Sequence, residues 1–325
     1  MNLPISWLNE FVDVTDIDIK NYCDRMTDTG SKVEGWSVQG GDIENVCVGR
    51  GRGRARHPVR ARRGGLLYRG DTAGGVSMDT KLDLKSLSYA QVCALAEELG
   101  FPAFRARQIF AWCGRGVTDF SGMTDLNKAD RAALQEKTYL SPCKIADKFV
   151  SKLDGTAKYL IELQNGYTVE AVVMRYRFGL SACLSTQAGC RMGCAFCAST
   201  VNGLGRNLSA GEILDQYLLL SRDQGERIGS VVLMGMGEPL DNYKNVLRFL
   251  ELVSSENGLN IGMRHISLST CGLVEKIYDL ADRKLQLTLS VSLHAPNDEI
   301  RSRTMPVNRK WNVEQLLKAC RYYAD

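Results

Sequence analysis

Residues 182–200 read ACLSTQAGCRMGCAFCAST, which sets Cys190, Cys194 and Cys197 at C-x-x-x-C-x-x-C spacing, with Gly189 and Gly193 leaving the backbone free to curl between them. A curled loop of this length can aim three thiolates at one point, and thiolates are the ligands that iron–sulfur clusters use. With three protein ligands, one iron of a cubane cluster stays open to a small molecule. Zinc is the competing reading, but zinc sites usually take four ligands, often as two C-x-x-C pairs. Here the next cysteine, Cys183, lies upstream of the trio and no second pair follows. A disulfide framework fits poorly with 11 cysteines spread over 325 residues and no signal sequence. That usage favours metal chemistry in a reducing, cytoplasmic compartment.

The remaining composition excludes little. Apolar residues make up 44% and charged residues 24%, ordinary values for a globular protein, and the net charge of +4 is a weak lean towards an anionic partner. No apolar run approaches the ~20 residues of a membrane-spanning helix, so no membrane role is expected.

Four stretches differ in character. Residues 1–49 carry an apolar helical set at Ile5, Leu8, Phe11 and Val12, then a second short helix and a strand, too little to bury a core alone. Residues 50–77 contain Arg50, Arg52, Arg54, Arg56, Arg60, Arg62, Arg63 and Arg69 with frequent glycine and no apolar period, which predicts a disordered junction. Its arginines suit either an RNA-binding arm or a junction between unrelated genes. Residues 78–142 predict a small helical domain. Ser88 caps a helix with Val92, Leu95, Ala96 and Leu99 on one face and Gly100 at its end. The next helix interleaves Phe104, Ile109, Phe110 and Trp112 with Arg105 and Arg107, a pattern equally suited to gripping nucleic acid and to an aromatic core face. LNKADRAALQEK gives a third helix.

Residues 143–325 change pattern again. KFVSKLDGTAKYLIEL and YTVEAVVMRYRF alternate around an Asn165-Gly166 turn and predict a hairpin. From Gly179 onward, apolar strands alternate with amphipathic helices: SACLST, IGSVVLMG, RHISLST and LQLTLSVSLHA are strands, with helices between. That order predicts parallel βα units, an α/β fold closing as an incomplete (β/α) barrel behind the helical domain and the short unrelated N-terminal segment. Ligands gather at the carboxyl ends of such strands. The cysteine loop, GMGEP at 235–239, Ser269 and the run Ser292–His294 all fall there. Singly, each has a plainer reading: a turn, a strand serine, a structural histidine.

The three-cysteine spacing with Phe196 before the last cysteine resembles the radical S-adenosylmethionine (radical SAM) superfamily. CLSTQAGCRMGCAFCAST, GMGEPLDNY, ISLSTCGL and SVSLHAPNDEIRSRTMPVN together resemble the RNA adenine-C2 methyltransferases of the RlmN and Cfr type, from about Met78 to the last residue. Residues 1–49 separately resemble the N-terminus of the phenylalanyl-tRNA synthetase β subunit.

The methyltransferase resemblance implies a [4Fe-4S] cluster on Cys190, Cys194 and Cys197. It implies S-adenosyl-L-methionine (SAM) lined by Gly237, Glu238, Ser269, Ser292, Leu293 and His294, with Glu238 on the SAM amino group. It assigns Glu170 as a proton acceptor. Cys183 would deprotonate the adduct and resolve a protein–RNA crosslink through a transient disulfide bond. The implied partners are ribosomal RNA, with transfer RNA left open, and an electron donor such as flavodoxin. The helical domain would contact folded RNA. The family's methyl-carrying cysteine and a late SAM-contacting asparagine fall beyond Asp325. The expectation is therefore a chain that binds cluster and SAM without completing methylation, Cys320 being no equivalent. The different-class alternative is an RNA-binding or synthetase-related module without catalysis.

Overall fold

A computed structural model of the chain describes residues 81–324 other than residue 142. The expectations for residues 1–49 and for the arginine-rich junction lie outside the described residues. A short strand, β1 (Leu82–Asp83), is followed by three helices, α1 (Tyr89–Glu98), α2 (Ala103–Gly114) and α3 (Lys128–Lys137); β2 (Thr138–Tyr139) then pairs in parallel with β1. Ser88 caps α1 in a reciprocal capping box with Gln91, and Gly100 leaves the helix at a φ of +69°. Val92, Leu95 and Ala96 are buried. The interleaved helix divides its residues: Ala106, Ile109, Phe110 and Cys113 of α2 enter the core. Arg105 turns to Asp130 at 3.2 Å, while Phe104 is exposed.

The central sheet has seven strands in the order β11-β10-β9-β6-β5-β4-β3. Its antiparallel part is β3 (Lys144–Val150), β4 (Ala157–Glu162), β5 (Thr168–Tyr176) and β6 (Gly179–Cys183). The single strand expected in KFVSKLDGTAKYLIEL is therefore two, β3 and β4. The chain reverses through Asp154-Gly155, with Gly155 at a φ of +71° and Asp154 accepting from the Thr156 N–H at 3.1 Å. An Asp-Gly pair is a hairpin signal that the continuous alternation around it obscures. Two short strands outside the sheet, β7 (Gln187–Gly189) and β8 (Leu204–Asn207), pair antiparallel around the cysteine loop.

The βα alternation follows. Helix α4 (Ala210–Gln224) leads to β9 (Ile228–Leu233), α5 (Tyr243–Ser254) to β10 (Ile266–Thr270), and α6 (Val274–Ala281) to β11 (Thr288–Val291). Strands β6, β9, β10 and β11 run parallel, as the alternation predicts. Two further helices, α7 (Asp298–Thr304) and α8 (Val313–Ala324), close the described chain. This mixed α/β sheet carries the parallel βα units that the sequence predicts.

Strand alternation gives the sheet two different faces. Tyr159, Ile161, Val169, Ala171, Val173, Ala182, Val231, Leu233 and Leu268 are buried in the continuous apolar core. The opposite face carries Glu170, Val172, Met174, Ser230, Val232, Ser267 and Ser269, all only partly buried. It mixes three serines and Glu170 with Val172, Met174 and Val232, and none of these side chains is fully buried.

The helical segment is stitched to α4 by a buried ion pair. Lys85 Nζ donates to Asp215 Oδ1 at 2.5 Å, both side chains nearly without exposure, and the Cys143 N–H donates to Asp215 Oδ2 at 2.9 Å.

Candidate active site

The cysteine loop leaves β6 at the carboxyl end of the parallel strands and is fixed by its own backbone. The Cys190 N–H donates to the Gly203 carbonyl at 3.0 Å, the Cys197 N–H to Cys194 at 3.0 Å and the Ala195 N–H to Thr304 of α7 at 2.8 Å. Cys190 and Cys194 are buried and Cys197 is partly buried; all three are free thiols. Burial first, and the neighbouring charges of Glu238 and the other two cysteines after it, push the Cys190 thiol up to about 11. Burial and then Cys197 raise Cys194 as well.

Among the described residues no three His, Cys, Asp or Glu side chains stand together as a metal-holding set. Three groups that each carry negative charge when ready to ligate have no electrostatic reason to gather by themselves. Metal binding supplies that drive by displacing the thiol protons.

Gln187, at the start of the loop, is fully buried and joins it to the GMGEP turn. Its Nε2 donates to Asn207 Oδ1 and Asp241 Oδ2, both at 2.8 Å, and its Oε1 accepts from the Glu238 N–H at 2.8 Å. Arg191 donates to both oxygens of Asp241, from Nε at 2.9 and 3.2 Å. Sequence reading missed this network, although STQ ahead of the first cysteine was its visible trace.

Gly237 has a φ of +102°, and a Cβ there would stand 2.5 Å from Gln187 Cβ. Glu238 is buried, and its carboxylate accepts from the N–H groups of Leu240 at 3.0 Å and Cys271 at 2.8 Å. Burial raises its pKa against those hydrogen bonds. The Thr270 and Cys271 side chains also hydrogen-bond to it.

Ser269 lies on the open face, paired with Ser290 across β10 and β11. The Ser292 N–H donates to Thr270 at 2.9 Å, which holds the run after β11 beside the end of β10. His294 is exposed, has a φ of +52° and meets Phe196 edge-on, ring centroids 4.8 Å apart. A positive φ at a non-glycine residue is uncommon and concentrates at functional turns. His294 thus brings the end of this run against the cysteine loop.

Glu170 and Cys183 share the open face. Val172 is the cross-strand partner of Cys183, and Glu170 lies two residues before Val172, a diagonal neighbour at about 7–8 Å. Lys158 Nζ stands 2.7 Å from Glu170 Oε1. Burial pushes the Cys183 thiol up.

Comparison with known proteins agrees with this geometry. The radical SAM superfamily model matches residues 184–325, and the ribosomal RNA large subunit methyltransferase N-terminal domain matches residues 82–140. A probable dual-specificity RNA methyltransferase RlmN of Alkaliphilus oremlandii is 51% identical over 245 residues, 75% of this chain and 71% of that protein. Its namesake in Desulforamulus reducens is 51% identical over 248 residues, 76% of this chain and 71% of that protein. The chain belongs to the RlmN-type radical SAM methyltransferase family. A crystal structure of a radical SAM methyltransferase from Sphaerobacter thermophilus aligns with a TM-score of 0.70 at 40% identity, covering 74% of this chain and 72% of that one.

RlmN-type enzymes use a [4Fe-4S] cluster and SAM, and the donor set here fits that pair. Three free cysteines on one tied-down loop suit a cluster with an open iron. The turn at Gly237 packs directly on Gln187, which fixes Glu238 beside the cysteine loop.

Arg301 of α7 went unnoticed in the sequence, where it is one arginine among many in a charged run. It is wholly buried and donates to the carbonyls of Leu293 and Cys271, at the ends of β11 and β10.

Proposed function

We propose that this chain carries the cluster- and SAM-binding core of an enzyme that methylates C2 of adenine in RNA. The observation that supports it most is spatial. The cysteine loop, the GMGEP turn, Ser269 and Ser292–His294 meet at one end of the sheet, and the face carrying Glu170 and Cys183 opens there.

In this reading Cys190, Cys194 and Cys197 hold the cluster, and Gly237, Glu238, Ser269, Ser292, Leu293 and His294 line SAM. Together the bound pair would supply a 5′-deoxyadenosyl radical, which is what an unactivated sp2 carbon requires. The chain's own groups manage protons and position. Desolvation of the partly buried Cys183 favours its thiol form. Glu170, diagonal to it on the same face, is the carboxylate placed to receive a proton from that side of the site. Lys158 Nζ, 2.7 Å from Glu170 Oε1, holds that carboxylate in place. Cys183 is the thiol that would attack the sulfur of a protein–RNA thioether, forming a disulfide with the methyl-carrying cysteine expected beyond Asp325 as the carbon–sulfur bond to the RNA breaks and the carbon takes a proton.

Ribosomal RNA is the proposed substrate, with transfer RNA as a second one, in keeping with relatives named dual-specificity enzymes. The helical segment within residues 78–142 is the proposed RNA-contacting part, with Phe104 and Arg107 of α2 outward. A flavodoxin-like protein is the proposed electron donor and the cytoplasm the proposed compartment. Among the described residues no helix is long and apolar enough to cross a membrane.

The test is anaerobic reconstitution with iron and sulfide, then reduction in the presence of SAM. A brown cluster and release of 5′-deoxyadenosine are expected. Zinc in place of iron, or no SAM cleavage, overturns the reading.

A further inference from the structure

Arg301 carries a buried charge that makes no hydrogen bond to a carboxylate. Its relative exposure is 0%. Nε donates to the Leu293 carbonyl at 3.1 Å, Nη2 to the Cys271 carbonyl at 2.6 Å and to Ser292 at 3.4 Å, and Nη1 to Asn308 Oδ1 at 2.9 Å. Every acceptor is a neutral oxygen. Asp298, on the same helix, directs its carboxylate to the Asn308 amide at 2.9 Å and the Val313 N–H at 2.8 Å instead. Buried ions are ordinarily paired with an opposite charge, because desolvation alone is costly. This one makes four hydrogen bonds, none of them to a carboxylate.

The surroundings show where an anion would be. Helix α7 is docked on the cysteine loop: Ala195, next to Cys194, donates to Thr304, three residues beyond Arg301. Pro306 lies against Gly193.

We propose that Arg301 is the built-in counter-charge of the three-thiolate cluster, a positioning residue that clamps the ends of β10 and β11 to α7 and raises the reduction potential of the cluster beside it. This rests on the radical SAM reading of the cysteine loop. A cluster held by three thiolates is negatively charged and gains one more negative charge on reduction. A fixed cation in a poorly solvated setting therefore stabilises the reduced form more than the oxidised one.

The experiment is a mediator-controlled redox titration of the full chain, reconstituted anaerobically and without SAM, followed by the electron paramagnetic resonance signal of the reduced cluster. Arg301→Gln is expected to shift the reduction equilibrium about tenfold towards the oxidised form, 59 mV for one electron. Arg301→Lys keeps the charge while losing the planar fork, and should stay close to the parent. The double exchange Asn308→Asp with Asp298→Asn preserves the chain's net charge and the hydrogen bond between these two residues. It sets a carboxylate against an intact guanidinium and should shift the equilibrium in the same direction as the glutamine. If Arg301→Gln fails to hold a cluster, the double exchange decides. A parent-like potential in the glutamine variant or the double exchange overturns the proposal, as does a lysine variant displaced as far as the glutamine. A parent protein with no reduced-cluster signal overturns the cluster reading itself, a result distinguishable from the others.

Discussion

At Gly237 the backbone conformation and the space around it make the same demand. The φ of +102° is one that side chains rarely adopt, and a Cβ would also collide with Gln187, the residue that joins the cysteine loop to Glu238. Gly237→Ala should lower stability by about 1–3 kcal/mol in urea unfolding and weaken SAM cleavage more than that loss explains. Gly225 is the matched control, since its φ of +68° is also positive but its Cβ would meet open space. Gly225→Ala should cost about 1 kcal/mol and leave SAM cleavage unchanged. If both alanines act alike, the close packing at Gly237 has no part in function. The cysteines and GMGEP were legible because their chemistry is local in sequence. Gln187 and Arg301 were not: a glutamine or arginine acquires meaning only from partners 20–54 and 7–30 residues away in the chain.

Single elements divide in the same way. From Gly179 on, strand and helix periods were long enough to read, and β6, β9, β10 and β11 with their helices stand where the alternation puts them. The short pieces escaped: β7 has three residues, β8 four and α7 seven, too few to display a period, and each is held by bonds to other parts of the fold. The seam between the helical segment and α4 is such a tertiary feature, and it can be measured. Lys85→Met would leave Asp215 buried and unpaired, so a loss of about 3–5 kcal/mol is expected in urea unfolding. Adding Asp215→Asn, which keeps an oxygen for the Cys143 N–H, should recover part of that loss. A double variant no better than the single one would show that charge burial is not what the seam balances.

Asp223, at the far end of α4, adds a pH dependence. The hydrogen bond from the Lys148 ammonium at 2.6 Å, then that from the Tyr159 hydroxyl at 2.6 Å, hold its pKa below the usual carboxylate range. An acid whose folded-state pKa is depressed stabilises the fold fully above its unfolded pKa, near 4, and loses that contribution as pH falls through the lower, folded value. Asp223→Asn should therefore cost roughly 0.5–1 kcal/mol at pH 7 and flatten the acid side of the stability curve of the cluster-free protein. Equal losses for parent and variant between pH 5 and pH 2 would reject the assignment.

Taken whole, the molecule is a sheet with one face committed to stability and the other left available. Val231 is fully buried on the core face, and Ser267, on the neighbouring strand, stands half-buried on the open one, beside Val232 and Thr288. Val231→Ala removes buried methyl groups and should cost about 1–2 kcal/mol without altering SAM cleavage per folded molecule. Ser267→Leu adds bulk where no core packing waits for it, so its effect on unfolding should stay within about 0.5 kcal/mol. Because Ser267 lies one step below Ser269 on the same face, the added side chain would protrude into the space assigned to SAM and the base. SAM cleavage by the reconstituted protein should then fall at least tenfold, a differential barrier of about 1.4 kcal/mol. The two substitutions exchange their effects if the faces are wrongly assigned: a destabilised, fully active Ser267→Leu protein would place the working surface elsewhere on the sheet.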